Sequence, residues 1–325
     1  MVQFISVEQL ITGFLEERHS LGYSYKTEEG VLRRFLKDFT MSPDGKIEFT
    51  KEYVLEHTNP KLNQSVNTRI RDICAVNSFL DFVTRKGYVA YKIPRKSLPK
   101  EQRNFKAYIF TDDEISRIIE AADSIPYAKQ CPDRHYQLPA MFRILFNCGL
   151  RISELLNLRF CDVNMEQNIF TILDTKFHKD RLVPFSEAVA DSLKIYYKNV
   201  KTVSEDSWLF CRPNSTERYS MSGFHFHFQM LLRMAGIPYG GRGKGPRPHD
   251  IRHTFAVHCL NNWVLSDVDI MAALPVLSRY MGHTGIKGTQ KYLQLTAQMF
   301  PNVIDSIEHE FGCLIPDMEV KHEEL

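Results

Sequence analysis

Apolar residues recur at three- and four-residue intervals through most of this chain. They alternate only in two short runs, 168–173 and 181–185. A period near 3.6 marks a helix with one face in a core, and a period of two marks a half-buried strand. The expected fold is therefore mainly α, with a small β-hairpin inside an otherwise helical, α+β second half. At 325 residues the chain is long enough for two domains of ordinary size.

The first domain is expected over residues 1–90 and is all-helical. Ser6 can cap a helix that carries Leu10, Ile11, Phe14 and Leu15, and Gly22 ends it. A second helix is expected from about Lys26 to Phe39, with Val31, Leu32, Phe35 and Leu36 on one face and Arg33, Arg34 and Lys37 on another. Thr50 caps a short third helix. A long fourth runs from about Ser65 to Arg85, with Arg69 and Arg71 near its start. Residues 91–107 read as a basic linker. Pro94 and Pro99 break helix there, and Lys92, Arg95, Lys96, Lys100, Arg103 and Lys106 face one acid, Glu101.

The second domain is expected over 108–300. Thr111 and the acidic turn after it open a helix, and a buried helix covers about 138–148. Gly149-Leu150 stops that helix, so Arg151 stands at the start of the next, with Glu154 one turn on. Lys176 and Lys179 lie on the polar turn of the hairpin. The segment Gly240–Pro248 is glycine-rich and basic, with Arg242, Lys244 and Arg247. No strand leads into it and phosphate-loop spacing is absent, which argues against nucleotide binding there. A C-terminal helix around Asn302–Phe311 and an acidic tail are expected over 301–325.

The net charge of +2 hides an asymmetry. The residues beyond Asn302 hold seven acids and one base, which leaves 40 bases against 32 acids, a charge of +8, for residues 1–302. A basic body of this kind suits a polyanion such as double-stranded DNA. The candidate phosphate contacts are Arg33, Arg34, Arg69, Arg71, Arg95, Lys96, Lys100, Arg103, Arg242, Lys244 and Arg247. No apolar run is long enough to span a membrane, and the N-terminus lacks the charged-then-apolar pattern of a signal peptide. Seven cysteines without a C-x-x-C pair fit a reducing cytoplasm and no structural zinc.

The chemistry gathers late in the chain. His249 and Arg252 stand three apart and share a helix face; His283 follows a Met-Gly turn; Tyr292 lies nine residues further on. Guanidiniums bind phosphoryl oxygens bidentately, imidazole trades protons, and a phenol can attack phosphorus. A lysine on a hairpin turn can protonate a leaving oxygen. No carboxylate cluster suits Mg²⁺, so a reaction without metal or other cofactor is expected.

In this order the pieces C-G-L-R-I-S-E-L (148–155), T-K-F-H-K-D-R-L-V-P (175–184), H-D-I-R-H-T-F-A (249–256), M-G-H-T (281–284) and Y-L (292–293) resemble the tyrosine recombinase, or phage integrase, family. The likeness spans the second domain and is closest to Xer-like or transposon-borne members without an arm-binding domain. It implies that the first domain is a SAM-like core-binding domain. It implies that Arg151 and Arg252 clamp the scissile phosphate, with His249 and His283 as further contacts and proton partners. Tyr292 is then the nucleophile of a 3′-phosphotyrosyl intermediate and Lys176 the general acid. Lys179, three residues on, is the alternative acid, and Glu154 buttresses the site. The resemblance also implies integration or transposition chemistry that needs neither ATP nor metal. It implies a monomer that assembles as a homo-tetramer on DNA through its C-terminal helix, with accessory recombinases among its partners. A non-cleaving DNA-binding relative and a type IB topoisomerase-like enzyme are the other readings. Two local expectations follow. Pro275 leaves the geometry of 272–277 open, and the reach from His283 should leave Tyr292 poorly placed without DNA.

Overall fold

The computed structural model describes residues 6–41, 46–100, 107–173, 180–200, 204–241, 245–283 and 287–299. The chain forms two compact units, residues 1–105 and 106–325. The first contains helices α1 (Val7–Ser20), α2 (Lys26–Phe35), α3 (Lys51–His57) and α4 (Val66–Arg85). Ser6 and Gln9 close a reciprocal capping box on α1, while Thr50 and Ser65 cap α3 and α4 through their hydroxyls. Leu10, Ile11 and Phe14 of α1 meet Val31, Leu32 and Phe35 of α2 and the apolar stripe of α4 in one core. Burying each such side chain contributes about 1.5–3 kcal/mol, which holds helices this short in place.

Two details differ from expectation. Helix α2 stops at Phe35, and Phe39 packs on Phe49 instead, with ring centroids 4.6 Å apart. Two strands also appear, β1 (Glu48–Phe49) and β2 (Val89–Ala90), paired in parallel. Each is only two residues long, below the length at which alternation is readable. The start of the expected linker is also not a free strap. Ile93 is buried in the first core, and Asn77 bonds both its backbone groups, accepting from N at 3.0 Å and donating to O at 2.9 Å.

The second unit contains α5 (Asp112–Asp123), α6 (Arg134–Cys148), α7 (Ile152–Leu156), α8 (Glu187–Asn199), α9 (Met221–Met234), α10 (Pro248–Leu265), α11 (Ile270–Tyr280) and α12 (Lys287–Met299). An antiparallel sheet of β3 (Val163–Asn164), β4 (Ile169–Ile172) and β5 (Arg181–Pro184) holds the expected hairpin, with Ile172 opposite Arg181. One apolar cluster gathers α5, α6, α8, α9 and the sheet; a second lies among α10, α11 and α12. Pro275 sits within α11 without ending it. Among the described residues, no helix is long and apolar enough to cross a membrane.

Three connections bring distant segments to one place. Gly149 ends α6 at φ +58°, and a Cβ there would come within 2.2 Å of the Phe255 ring on α10. Only a residue without a side chain lets this turn close against that helix. Thr254 accepts a hydrogen bond from Phe110 N at 3.0 Å, tying the entry of the unit to α10. Gly282, at φ +65°, makes the turn after α11 beneath the Arg181 guanidinium, which would be 2.9 Å from an added Cβ.

Candidate active site

The site is built on the two glycine turns, 149–151 and 281–283. Arg252 projects from α10 and joins them: Nη1 donates to Gly149 O at 2.8 Å, and Nη2 donates to Met281 O. Arg151, at the start of α7, donates through Nη2 to the adjacent carbonyl of Gly282 at 2.9 Å. Two guanidiniums from residues a hundred apart are thus anchored on neighbouring carbonyls of one turn. Arg252 is 2 % exposed. Burial, followed by the charge of Arg151, pulls its pKa down to about 10, so it remains cationic near neutral pH.

Glu154 balances this charge. Its Oε2 accepts from Arg151 N at 2.8 Å, and its Oε1 accepts from Arg151 Nη1 at 2.6 Å. Arg181, at the start of β5, grips both oxygens at 3.0 and 2.9 Å and donates through Nε to Tyr280 O at 2.7 Å. Burial alone would push the Glu154 carboxyl up. The Arg181 bonds and charge outweigh it and hold the pKa at about 2. Arg181 is a site residue that the sequence pattern does not single out. The only signal for it was a charged residue on an inward-facing position of a strand that pairs with a buried neighbour.

His283 closes the ring. Its Nε2 lies 3.3 Å from Arg252 Nη2, and its Nδ1 lies 2.8 Å from Thr289 Oγ1. A guanidinium only donates, so Nε2 is the acceptor, and a neutral ring then donates from Nδ1 to the threonine. The pKa supports the neutral form: burial first, then Arg252 and Arg151, lower it to about 4. His249, near the start of α10, is lowered likewise to about 4, by desolvation and then by Arg252 and Lys291.

Tyr292 is enclosed, 0 % exposed. Residues 289, 292 and 296 stand three and four apart on α12, and all three are fully buried, which fixes the face that packs inward. The Tyr292 hydroxyl lies 3.2 Å from His253 Nδ1, and the ring stacks on His283 with centroids 6.1 Å apart. Burial raises the phenol pKa, while Arg252 and then Arg151 oppose that rise. Lys291 Nζ sits 4.9 Å from the Tyr292 ring centroid. His253 and Lys291 were also missed. The four-residue step from His249 to His253 was the available clue, and it places their ring centroids 4.8 Å apart.

The remaining candidates scatter. Lys176, Lys179, Arg103, Arg242 and Lys244 lie outside the described residues, as does the segment 300–325. Arg33 is paired with Glu29 and Glu8 at 2.8 and 3.0 Å. Arg71 stands 3.8 Å from Asp72. Arg34 and Arg69 line one small cleft of the first unit with His57 and Lys61. Arg95, Lys96 and Lys100 are exposed. Arg247 caps α10 and donates to Asp250 at 2.9 Å.

The three lowered imidazoles predict acid sensitivity. Each binds a proton more readily unfolded, near 6.5, than folded, near 4 for His249 and His283 and near 3 for His253. Their contribution is therefore complete above about pH 6.5 and is lost as the pH falls toward those folded values. Discounting the partly exposed rings, the expected loss between pH 6.5 and 5 is on the order of 3 kcal/mol. Urea unfolding at the two pH values measures it, and the loss should be smaller in His253→Asn.

Two anchored guanidiniums, three neutral imidazoles and a buried phenol around one turn make a site for an anionic oxygen substrate. Comparison with known proteins makes the class specific. Residues 109–299 match the phage integrase family. Tyrosine recombinase XerA of Pyrococcus horikoshii is 30% identical over 66% of this chain and 63% of its own. Tyrosine recombinase XerD of Pseudomonas putida is 26% identical over 83% of this chain and 84% of its own. The Sinorhizobium fredii protein y4rB, an integrase/recombinase by designation, is 30% identical over 67% of this chain and 71% of its own. Among solved structures, the Tn1549 transposon integrase in complex with circular intermediate DNA superposes with a TM-score of 0.61 at 18% identity, covering 89% of this chain and 95% of that one. XerH bound to a palindromic difH substrate gives 0.59 at 17%, covering 88% and 80%. The chain belongs to the phage integrase family of tyrosine recombinases, enzymes of site-specific DNA recombination.

Proposed function

We propose that the protein cleaves and rejoins double-stranded DNA through a phosphotyrosyl intermediate on Tyr292. The observation that carries this reading is the burial of the Tyr292 hydroxyl beside Arg252, which itself joins the 149–151 and 281–283 turns. In the proposed step the Tyr292 oxygen bonds to phosphorus, its proton passes to the neutral imidazole of His249, and the bond to the 5′ oxygen breaks. Arg151 and Arg252 hold the non-bridging oxygens, and His249 and His283 lie at the rim of the same charge. Donors held in place before the reaction stabilise developing charge without reorganising. Lys176, or Lys179 in its place, would protonate the departing 5′ oxygen. The ester keeps the energy of the broken bond, so rejoining draws on no nucleotide.

Basic side chains at Arg34, Arg69, Arg95, Lys96 and Lys100 suit the phosphates flanking the cut. Leu265, Val268, Met271 and Val276 are exposed on and between α10 and α11. They suit a second copy's apolar segment, Val303–Phe311, as the contact that builds a tetramer on two duplexes. Incubation with nicked DNA from which the cleaved end can diffuse away should trap a covalent protein–DNA species. Peptide mass spectrometry should place the nucleotide on Tyr292. A trapped species mapping to any other residue, or specific DNA binding with no trapped species, would refute the assignment.

A further inference from the structure

We propose that His253 is a positioning residue for the nucleophile: its Nδ1 accepts the hydrogen bond of the Tyr292 hydroxyl and aims the oxygen before DNA arrives. The inference rests on the reading of Tyr292 as nucleophile.

Donor arithmetic carries it. The Tyr292 hydroxyl is enclosed, with the ring 0 % exposed. Among the described residues its neighbours include His253 Nδ1 at 3.2 Å and Arg252, whose charge acts on the phenol. A guanidinium has N–H groups and no free lone pair, so it can only donate to the phenol oxygen. The phenol proton therefore needs an acceptor elsewhere, and Nδ1 of His253 is within reach. That assigns His253 the tautomer protonated on Nε2.

The second support is the setting of the imidazole. His253 is 2 % exposed and packs its ring edge-on against His249. Burial, with Lys291, His249, Arg247 and Arg252 nearby, drives its pKa down to about 3. So depressed a ring stays neutral and keeps its acceptor, and it is a poor proton sink. The geometry thus points to orientation rather than to removal of the phenol proton. The helix that carries His253 also carries Arg252. One rigid element therefore sets both the phosphate-binding charge and the direction of the nucleophile.

Two measurements on the full chain test this. In the DNA-free protein, ¹⁵N-histidine spectra should show the His253 imidazole protonated on Nε2, and its Nδ1 resonance should move in Tyr292→Phe. No moved resonance would overturn the hydrogen bond whatever the protein's activity. In single-turnover cleavage of nicked DNA, His253→Leu and His253→Gln should be slower by about 10- to 100-fold at unchanged DNA affinity. His253→Asn puts an amide oxygen near the place of Nδ1 and should stay within about threefold of the parent rate. If His253→Leu does not fold, the Asn and Gln variants carry the comparison. An Asn variant as slow as the Gln variant, or a Gln variant as fast as the parent, would overturn the role. A parent protein that forms no adduct on Tyr292 would sink the recombinase reading while leaving the spectroscopic test standing.

Discussion

With Tyr292 replaced by Phe, the protein is expected to fold and bind DNA as before and to form no covalent protein–DNA species. The change removes one oxygen from a ring that is fully buried on α12. The ring keeps its stacking on His283 and its packing against α10, so no cavity opens. What is lost for stability is one hydrogen bond to His253, about 1 kcal/mol. What is lost for chemistry is the attacking atom, and deleting a nucleophile lowers turnover on the order of 10⁴- to 10⁶-fold. The pair of numbers is the test. Gel-shift affinity and thermal midpoint should change little while the trapped adduct disappears. An adduct that survives would show that another group attacks phosphorus.

Glu154→Ala is expected to act in the opposite sense, on the fold first. The carboxylate neutralises Arg181, whose side chain is 9 % exposed, and shares Arg151, at 26 %. Removing it leaves the buried Arg181 guanidinium without its two carboxylate acceptors and Arg151 without its ion pair. Breaking one side of a buried pair costs about 3–5 kcal/mol, because the stranded charge is still desolvated. For a unit of this size that lowers the melting temperature by about 10 °C. The decisive control is the double variant Glu154→Leu with Arg181→Met. Replacing both partners by apolar groups of similar bulk should restore much of the stability lost in Glu154→Ala. Cleavage should not return with it, since Arg151 would no longer be held by Glu154. A single Glu154→Ala variant as stable as the parent in calorimetry would show that Arg181 does not need this carboxylate.

Much of the site was legible because two local rules survive folding. Helix spacing put His249 and Arg252 on one face, and a glycine stop put Arg151 at a helix start; both are properties of a few consecutive residues. The hairpin was legible for the same reason, since alternation over 168–173 and 181–185 is local. Arg181, His253, Thr289 and Lys291 were not legible as site residues. Arg181 reads as one more cation in a run that already holds Lys176 and Lys179, and its value lies in a carboxylate 27 positions away. Thr289 matters only because its hydroxyl meets His283 Nδ1. The two-residue strands β1 and β2 escaped because pairing, not propensity, makes them strands.

Tyr292 marks the boundary most clearly. Taken alone, nine residues of chain between His283 and Tyr292 suggested a loose tether. The fold instead makes 287–299 a helix whose Thr289, Tyr292 and Thr296 face inward. The sequence by itself determined the inventory: which groups can carry charge, donate, accept or attack, and which turns must contain glycine. Only the tertiary structure decided which of them meet. A hydrogen bond or ion pair depends on separations of a few ångströms between residues dozens to a hundred positions apart, and those separations are set by packed helices rather than by neighbours along the chain.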